Sequence, residues 1–235
     1  MATYTDLSTA IMDISKNKYI QTASSVSLLS RINQAVAEIA GGIRMPNGEM
    51  SPPLPALFKS DTVATTAYPY VTMPATYQRE LIYVVDPNGL QIKPPTGGNY
   101  YSWTLFMDRV IKKDLSSVGE VDLVCVKGSV LYYQSIPSVS VNLSVVFYRK
   151  PVAMAGGGTE TPDGIPEHLQ MRLIKHRVGF QLANEMVDGT ERMIQYHEAE
   201  FYKAMQDLVD HIGYHDAGPE YYGSGSDFVD LGICD

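Results

Sequence analysis

Residues 165–188, IPEHLQMRLIKHRVGFQLANEMVD, carry two apolar stripes at helical spacing. Leu169, Leu173, Phe180, Ala183 and Val187 share one side of the wheel, with His176 among them. Met171, Ile174, Val178 and Leu182 fall on nearly the opposite side. Such a helix has no face to give to water, so it must be covered twice. Pro166 suits its first position. One cover comes from the next segment, MIQYHEAEFYKAMQDLVDHI, in which Ile194, Phe201, Met205, Leu208 and Ile212 form a single stripe. Asp188-Gly189-Thr190-Glu191 reverses the chain between them, with Asp188 as N-cap and Glu191 as its capping-box partner. The other cover falls to the N-terminal helix, the β region or a neighbouring subunit. Met171, Ile174, Val178 and Leu182 are therefore the candidate subunit interface.

Two further helices precede this pair. In SSVSLLSRINQAVAEIAGG, Leu29, Ile32, Val36 and Ile39 recur at three and four, Ser24 or Ser25 caps the start, and Gly41 and Gly42 end the run. Upstream, Leu7, Ile11 and Ile14 follow Thr5 or Asp6 as a shorter helix. Between the two helical blocks the composition turns to Pro, Gly, Tyr, Thr and Val. ELIYVVDPNGLQIK reads as a hairpin about Asp86-Pro87-Asn88-Gly89, and VDLVCVKGSVLYYQ as another about Lys127-Gly128-Ser129. SVSVNLSVVFYRK reads as a long strand with Val139, Val141, Leu143 and Val145 on one face. AGGGTETPDG reads as a flexible connector.

The expected class is α+β: a helical core (residues 1–44 and 166–212), an inserted antiparallel β region (45–150), a linker (151–165) and an extended, acidic, Gly-rich C-terminal tail (213–235).

Chemistry finds little footing. The cluster Glu191, His197, Glu198 and Glu200 resembles the beginning of a metal or acid–base site. On the wheel, however, Glu198 and Glu200 flank the apolar stripe on opposite sides, Glu191 belongs to a cap, and His197 sits at the apolar edge where a core histidine belongs. There is no His-Glu-x-x-His, no Glu-x-x-His, no Gly-Lys-Ser/Thr phosphate loop and no Gly-x-Ser-x-Gly elbow. No cofactor or metal is expected. Cys125 and Cys234 suggest neither a disulfide framework nor zinc. A net charge of -8 speaks against a surface that grips nucleic-acid phosphates. The opening MATYTDLSTAIMDISKNK lacks the marks of a signal peptide and no apolar run is long enough to span a bilayer, so synthesis in a reducing cytoplasm and no membrane partner are expected.

The order helix, tyrosine-rich β insertion, LYYQSIPSVSVNLSVVFYRKPVAM, connector and helical pair resembles the head-to-tail adaptor (connector) proteins of tailed bacteriophages. Tyr148-Arg149-Lys150-Pro151 matches that family's strand-ending step, Pro166 to His168 its Pro-initiated helix with an early histidine, and Tyr196, Phe201 and Tyr202 approximate its aromatic rhythm. The resemblance implies a structural virion protein of the neck, not an enzyme. It implies a ring, usually a dodecamer, docked on the portal protein, offering a platform to a tail or nozzle protein while dsDNA passes without specific binding. Tyr214, Tyr221, Tyr222 and Phe228 then become the anchors of a tail that orders on the portal. Two other readings stand beside it: a virion-associated cell-wall hydrolase using carboxylates such as Glu80 and Asp86, and a receptor- or carbohydrate-binding module built around Trp103 and the tyrosines.

Overall fold

The structure is a computed structural model that describes residues 1–14, 25–92, 103–111, 116–185 and 191–216. Its elements run α1 (Tyr4–Ile14), α2 (Ser25–Gly41), a single 3-10 turn (Pro55–Leu57), β1 (Phe58–Ala64), β2 (Tyr70–Thr72), β3 (Tyr77–Val85), α3 (Trp103–Ile111), β4 (Leu123–Lys127), β5 (Val130–Gln134), β6 (Asn142–Arg149), α4 (Glu167–Glu185) and α5 (Glu191–Asp216). The class is α+β, with a C-terminal helical hairpin and antiparallel sheets. The chain divides after Ala56 and again at Pro151 into a helical unit, built from both ends of the sequence, and a β unit of residues 57–150.

In the helical unit α4 is the central element, touching α1, α2 and α5. The double cover that its sequence demands thus comes from within the chain. Leu169, Leu173 and Ala183 are buried, and so are Ile174 and Val178 of the second stripe. The facing stripes supply Leu7 and Ile11 of α1, Ile32, Val36 and Ile39 of α2, and Phe201, Met205, Leu208 and Ile212 of α5. Burying a side chain of this size contributes about 1.5–3 kcal/mol, so this stack dominates the unit's stability.

Helix ends follow local chemistry. Thr3, not Thr5 or Asp6, caps α1: its Oγ1 accepts the Asp6 amide at 3.2 Å, while the Asp6 carboxylate accepts the Thr3 amide at 3.0 Å and hydroxyl at 2.7 Å. This is a capping box closed by Asp in place of Glu. Those bonds hold the Asp6 carboxyl below its usual range. The α2 helix ends where its glycines predicted, with Gly42 at φ 96° taking the left-handed turn that a Cβ would disfavour. The predicted Asp188 cap lies outside the described residues.

The connector is not the free linker its composition suggested. Asn33 of α2 makes reciprocal bonds with the Met154 backbone (2.8 and 2.9 Å), Val152 donates to Asp163 Oδ2 at 2.7 Å, and Gln170 of α4 donates to the carbonyls of Pro162 and Ile165. The Glu160 carboxylate accepts the amides of Ala155, Gly156 and Gly157, and Tyr4 donates its amide to the Glu160 carbonyl. These amides, Gly157's first, keep the Glu160 carboxyl below its usual range. A segment rich in glycine becomes a strap because its own carboxylate fills its nest of N–H groups.

Among the described residues the β unit forms two three-stranded antiparallel sheets, ordered β1-β6-β3 and β2-β5-β4. In β6 the alternating Leu143, Val145 and Phe147 are fully buried. The predicted face extends one pair too far, since the strand starts at Asn142 and Val139 is exposed. The Lys127-Gly128-Ser129 reversal joins β4 to β5 as read. The Asp86 turn is also present, its Oδ1 accepting the amides of Asn88 and Leu90, and its far arm pairs by one bridge, Val85 with Gln91. One helix stands within this mainly β region: α3, which packs on β4 and buries Phe106 completely. Trp103, Phe106, Met107 and Val110 had the helical spacing that announces it.

Candidate functional site

The four residues proposed as a subunit interface do not share one fate. Ile174 and Val178 are fully buried inside the chain, because α4 is covered on both sides by its own helices, and they have no surface left for a neighbour. Met171 and Leu182 keep partial exposure. Tyr214 lies in the last turns of α5, with its side chain outside the description. Tyr221, Tyr222 and Phe228 lie outside the described residues.

The carboxylate and histidine cluster does not converge. Glu200 pairs with Lys203 at 2.6 Å, Glu191 accepts from Gln195 at 3.2 Å, and Glu198 is exposed. His197 turns inward, as a core histidine, and meets His176 with their Nδ1 atoms 3.1 Å apart. Gly179 makes room for it: a Cβ there would lie 2.8 Å from His197 Nδ1. Burial holds both imidazoles below their ordinary pKa, His176 down to about 4 with His197 beside it as the second cause.

The carboxylates offered for hydrolysis are taken up by local structure. Glu80, at φ 52° in the irregular middle of β3, pairs with its neighbour Arg79 at 2.7 Å, and Asp86 organises its turn. Burial pushes the Cys125 thiol up to about 11, so it is no nucleophile at neutral pH. Among the described residues no group of three or more His, Cys, Asp or Glu could hold a metal, and no helix is long and apolar enough to cross a membrane.

What the molecule does offer is contact surface. In the β unit Tyr68 stacks on Tyr70 (ring centroids 5.7 Å), Tyr70 leans on Tyr132 (6.1 Å), and Trp103 meets Tyr132 edge-on at 4.8 Å with Lys127 Nζ 4.3 Å above the indole. Tyr68 and Tyr70 are 63% and 46% exposed, so half of this aromatic row faces solvent. Aromatics of this kind are enriched in protein interfaces. Sequence reading valued the tyrosines as a group and Trp103 by itself, whereas the row exists only once β2 pairs with β5. An open cleft of about 440 Å³ lies elsewhere in the same unit, lined by Asp86, Asn88, Glu120, Val139 and Leu143.

The exposed aromatic row of the β unit is surface of the kind enriched in protein interfaces, and the buried histidines of the helical unit pack against each other. A family profile described as SU10 adaptor protein matches residues 2–224. The chain belongs to the SU10 adaptor protein family. It is a bacteriophage adaptor, a component of the virion that interacts with other head or tail proteins, and the family's role is structural. No curated protein is significantly similar to this adaptor. The match takes in both units and runs through Tyr221 and Tyr222, ending before Phe228.

Proposed function

We propose that this adaptor forms a ring in the phage neck, a dodecamer in the family it resembles, that joins the portal vertex to the tail or nozzle and continues the DNA channel. The family match over residues 2–224 carries this reading. A net charge of -8 suits a wall that dsDNA slides past, since a surface short of clustered Lys and Arg releases few counterions and holds phosphate weakly. Met171 and Leu182, the two members of the outer α4 stripe with exposed surface, are the part of that stripe left for a neighbouring subunit. The C-terminal segment docks on the portal through Tyr214, Tyr221, Tyr222 and Phe228, aromatic anchors that supply contact area when a polar segment orders on its partner.

The test is native mass spectrometry of the purified adaptor, alone and mixed with the portal ring of its own phage. Addition to the portal in a fixed stoichiometry, lost when the chain stops at Ile212, is the expected result. An adaptor that ignores that portal overturns the neck assignment, and normal attachment by the shortened chain overturns the role of the four aromatics.

A further inference from the structure

Strand β1 is an open edge of its sheet. Among the described residues it pairs with β6 alone, in an antiparallel register that runs without a shift from Phe58 opposite Tyr148 to Ala64 opposite Asn142. Continuing that register, the Thr65 amide donates to the Val141 carbonyl at 2.9 Å. Bonded positions alternate along an antiparallel pair, so Val63, Asp61 and Lys59 turn their backbone groups to β6, while Phe58, Ser60, Thr62 and Ala64 turn theirs outward. Thr62 agrees with this phase: its amide donates to Asp61 Oδ1 at 2.9 Å, outside the ladder. All four outward residues are exposed. The other edge strands carry the features that proteins use against unwanted pairing. β3 is broken by register shifts with Glu80 at φ 52°, β2 is three residues long, and β4 has α3 packed on it. β1 has seven regular residues, no proline and no bulge, and its Lys59, the usual guard of an edge, is neutralised by Asp61 at 2.9 Å.

We propose that β1 is a docking strand for a second copy of this chain, the two β1 edges pairing antiparallel about a twofold axis at Ser60. In that register Ser60 faces the partner's Ser60 and Phe58 faces the partner's Thr62, each pair exchanging both N–H···O bonds. The Thr62 amide passes from Asp61 to the partner's Phe58 carbonyl. The positions between them are non-bonded pairs, where side chains approach more closely, and there Lys59 stands opposite the partner's Asp61 and Asp61 opposite the partner's Lys59. Four charges then alternate in sign along the strands and across them. Backbone bonds alone accept any extended chain, so side chains select the occupant. The selected strand must set an acid against Lys59 and a base against Asp61, and β1 meets that demand itself. An isologous contact closes at two copies, so this pairing is not the repeating contact of a ring. It belongs to the free adaptor and does not depend on the neck reading.

Sedimentation equilibrium of the full-length adaptor over a range of concentrations at low salt tests the pairing, with Lys59→Asp and Asp61→Lys run separately and as an equimolar mixture. The parent is expected to dimerise. Each variant alone sets like charges against each other at two positions and dimerises more weakly by roughly tenfold or more. The mixture regains the dimer as one copy of each, because the acidic edge of one variant then faces the basic edge of the other. Loss of fold or stability cannot produce that selectivity, and circular dichroism shows both variants folded. Ser60→Pro, which deletes an outward amide that β6 does not use, is expected to leave the sheet intact and the protein monomeric. A parent that stays monomeric overturns the proposal. So does association that is equal in parent and variants, whether it runs through the C-terminal segment or another surface, and so does a mixture no heavier than its components.

Discussion

His176 Nδ1 and His197 Nδ1 lie 3.1 Å apart across the α4–α5 interface, with both rings buried. One nitrogen must carry the proton and the other must accept it, so the neutral pair holds two different tautomers. A first added proton leaves the shared bond intact but charges a buried ring, and a second puts two N–H groups face to face. Lys175 and Arg172 oppose charging of His176 and Glu200 favours it, while Lys175 opposes that of His197. Both imidazoles therefore protonate more readily in the unfolded chain. Stability is complete above the unfolded value near 6.5 and is lost as pH falls toward about 4. At one decade per 1.36 kcal/mol, His176 alone accounts for a loss of up to about 3 kcal/mol. Urea denaturation at pH 7.5 and 4.5, on the parent and on His176→Gln, checks it. The same slope in both proteins would show that the pair is not its source.

Gly179→Ala is expected to destabilise the hairpin although alanine is the better helix former. The helix gains about 1 kcal/mol, but the new Cβ lies within 3.1 Å of three His197 ring atoms, an overpacking that typically costs about 1–3 kcal/mol. In a His197→Ala background the obstacle is gone and the same substitution becomes stabilising. Denaturant midpoints of the four proteins in this cycle decide it. An equal effect of Gly179→Ala in both backgrounds excludes the steric account.

In the β unit the buried phenol of Tyr133 accepts the Thr66 amide at 2.7 Å and donates to the Thr66 carbonyl at 3.1 Å. Tyr133→Phe keeps the ring and its packing and removes both bonds. The expected cost is about 1–2 kcal/mol, because Thr66 is exposed and water replaces part of what is lost. Thermal denaturation measures it, and a loss beyond about 3 kcal/mol would mean that the ring itself had moved.

These relationships differ in how far the sequence announces them. The stripes of α2, α4 and α5 and the alternation of Leu143, Val145 and Phe147 are periodic, and periodicity survives translation into burial. Which surface covers the second stripe of α4 is not periodic information. It depends on α1 and α2 returning from more than a hundred residues away, and that return takes Ile174 and Val178 out of reach of any neighbour. The histidines were each readable as core residues, but their meeting depends on hairpin register. The α3 helix was missed because nine residues of helical spacing sit among strands, where tertiary context decides between readings.

The strap of residues 151–165 is the sharpest case, because composition alone argues for flexibility and the bonds argue against it. Asn33 reaches across 121 positions to give its Nδ2 to the Met154 carbonyl and to take the Met154 amide on Oδ1. No other residue type of that size offers a donor and an acceptor side by side. Asn33→Asp keeps the acceptor and loses the donor, whereas Asn33→Leu loses both. Each bond is worth about 0.5–1.5 kcal/mol when lost cleanly, with more for a part-buried group left unmet, so Asn33→Leu is expected to cost about 1–3 kcal/mol and Asn33→Asp less. The strap should loosen before the helices do, since the bonds of Val152 to Asp163 and of residues 155–157 to Glu160 are internal to it, and Gln170 holds only its far end, at Pro162 and Ile165. Limited proteolysis under native conditions separates local from global opening: cleavage between residues 151 and 157 should rise in Asn33→Leu by a larger factor than the unfolded fraction measured by denaturation. Cleavage that rises only in step with global unfolding would show that strap and helices open as one unit, and that Asn33 contributes to the whole helical core instead of pinning one segment of it.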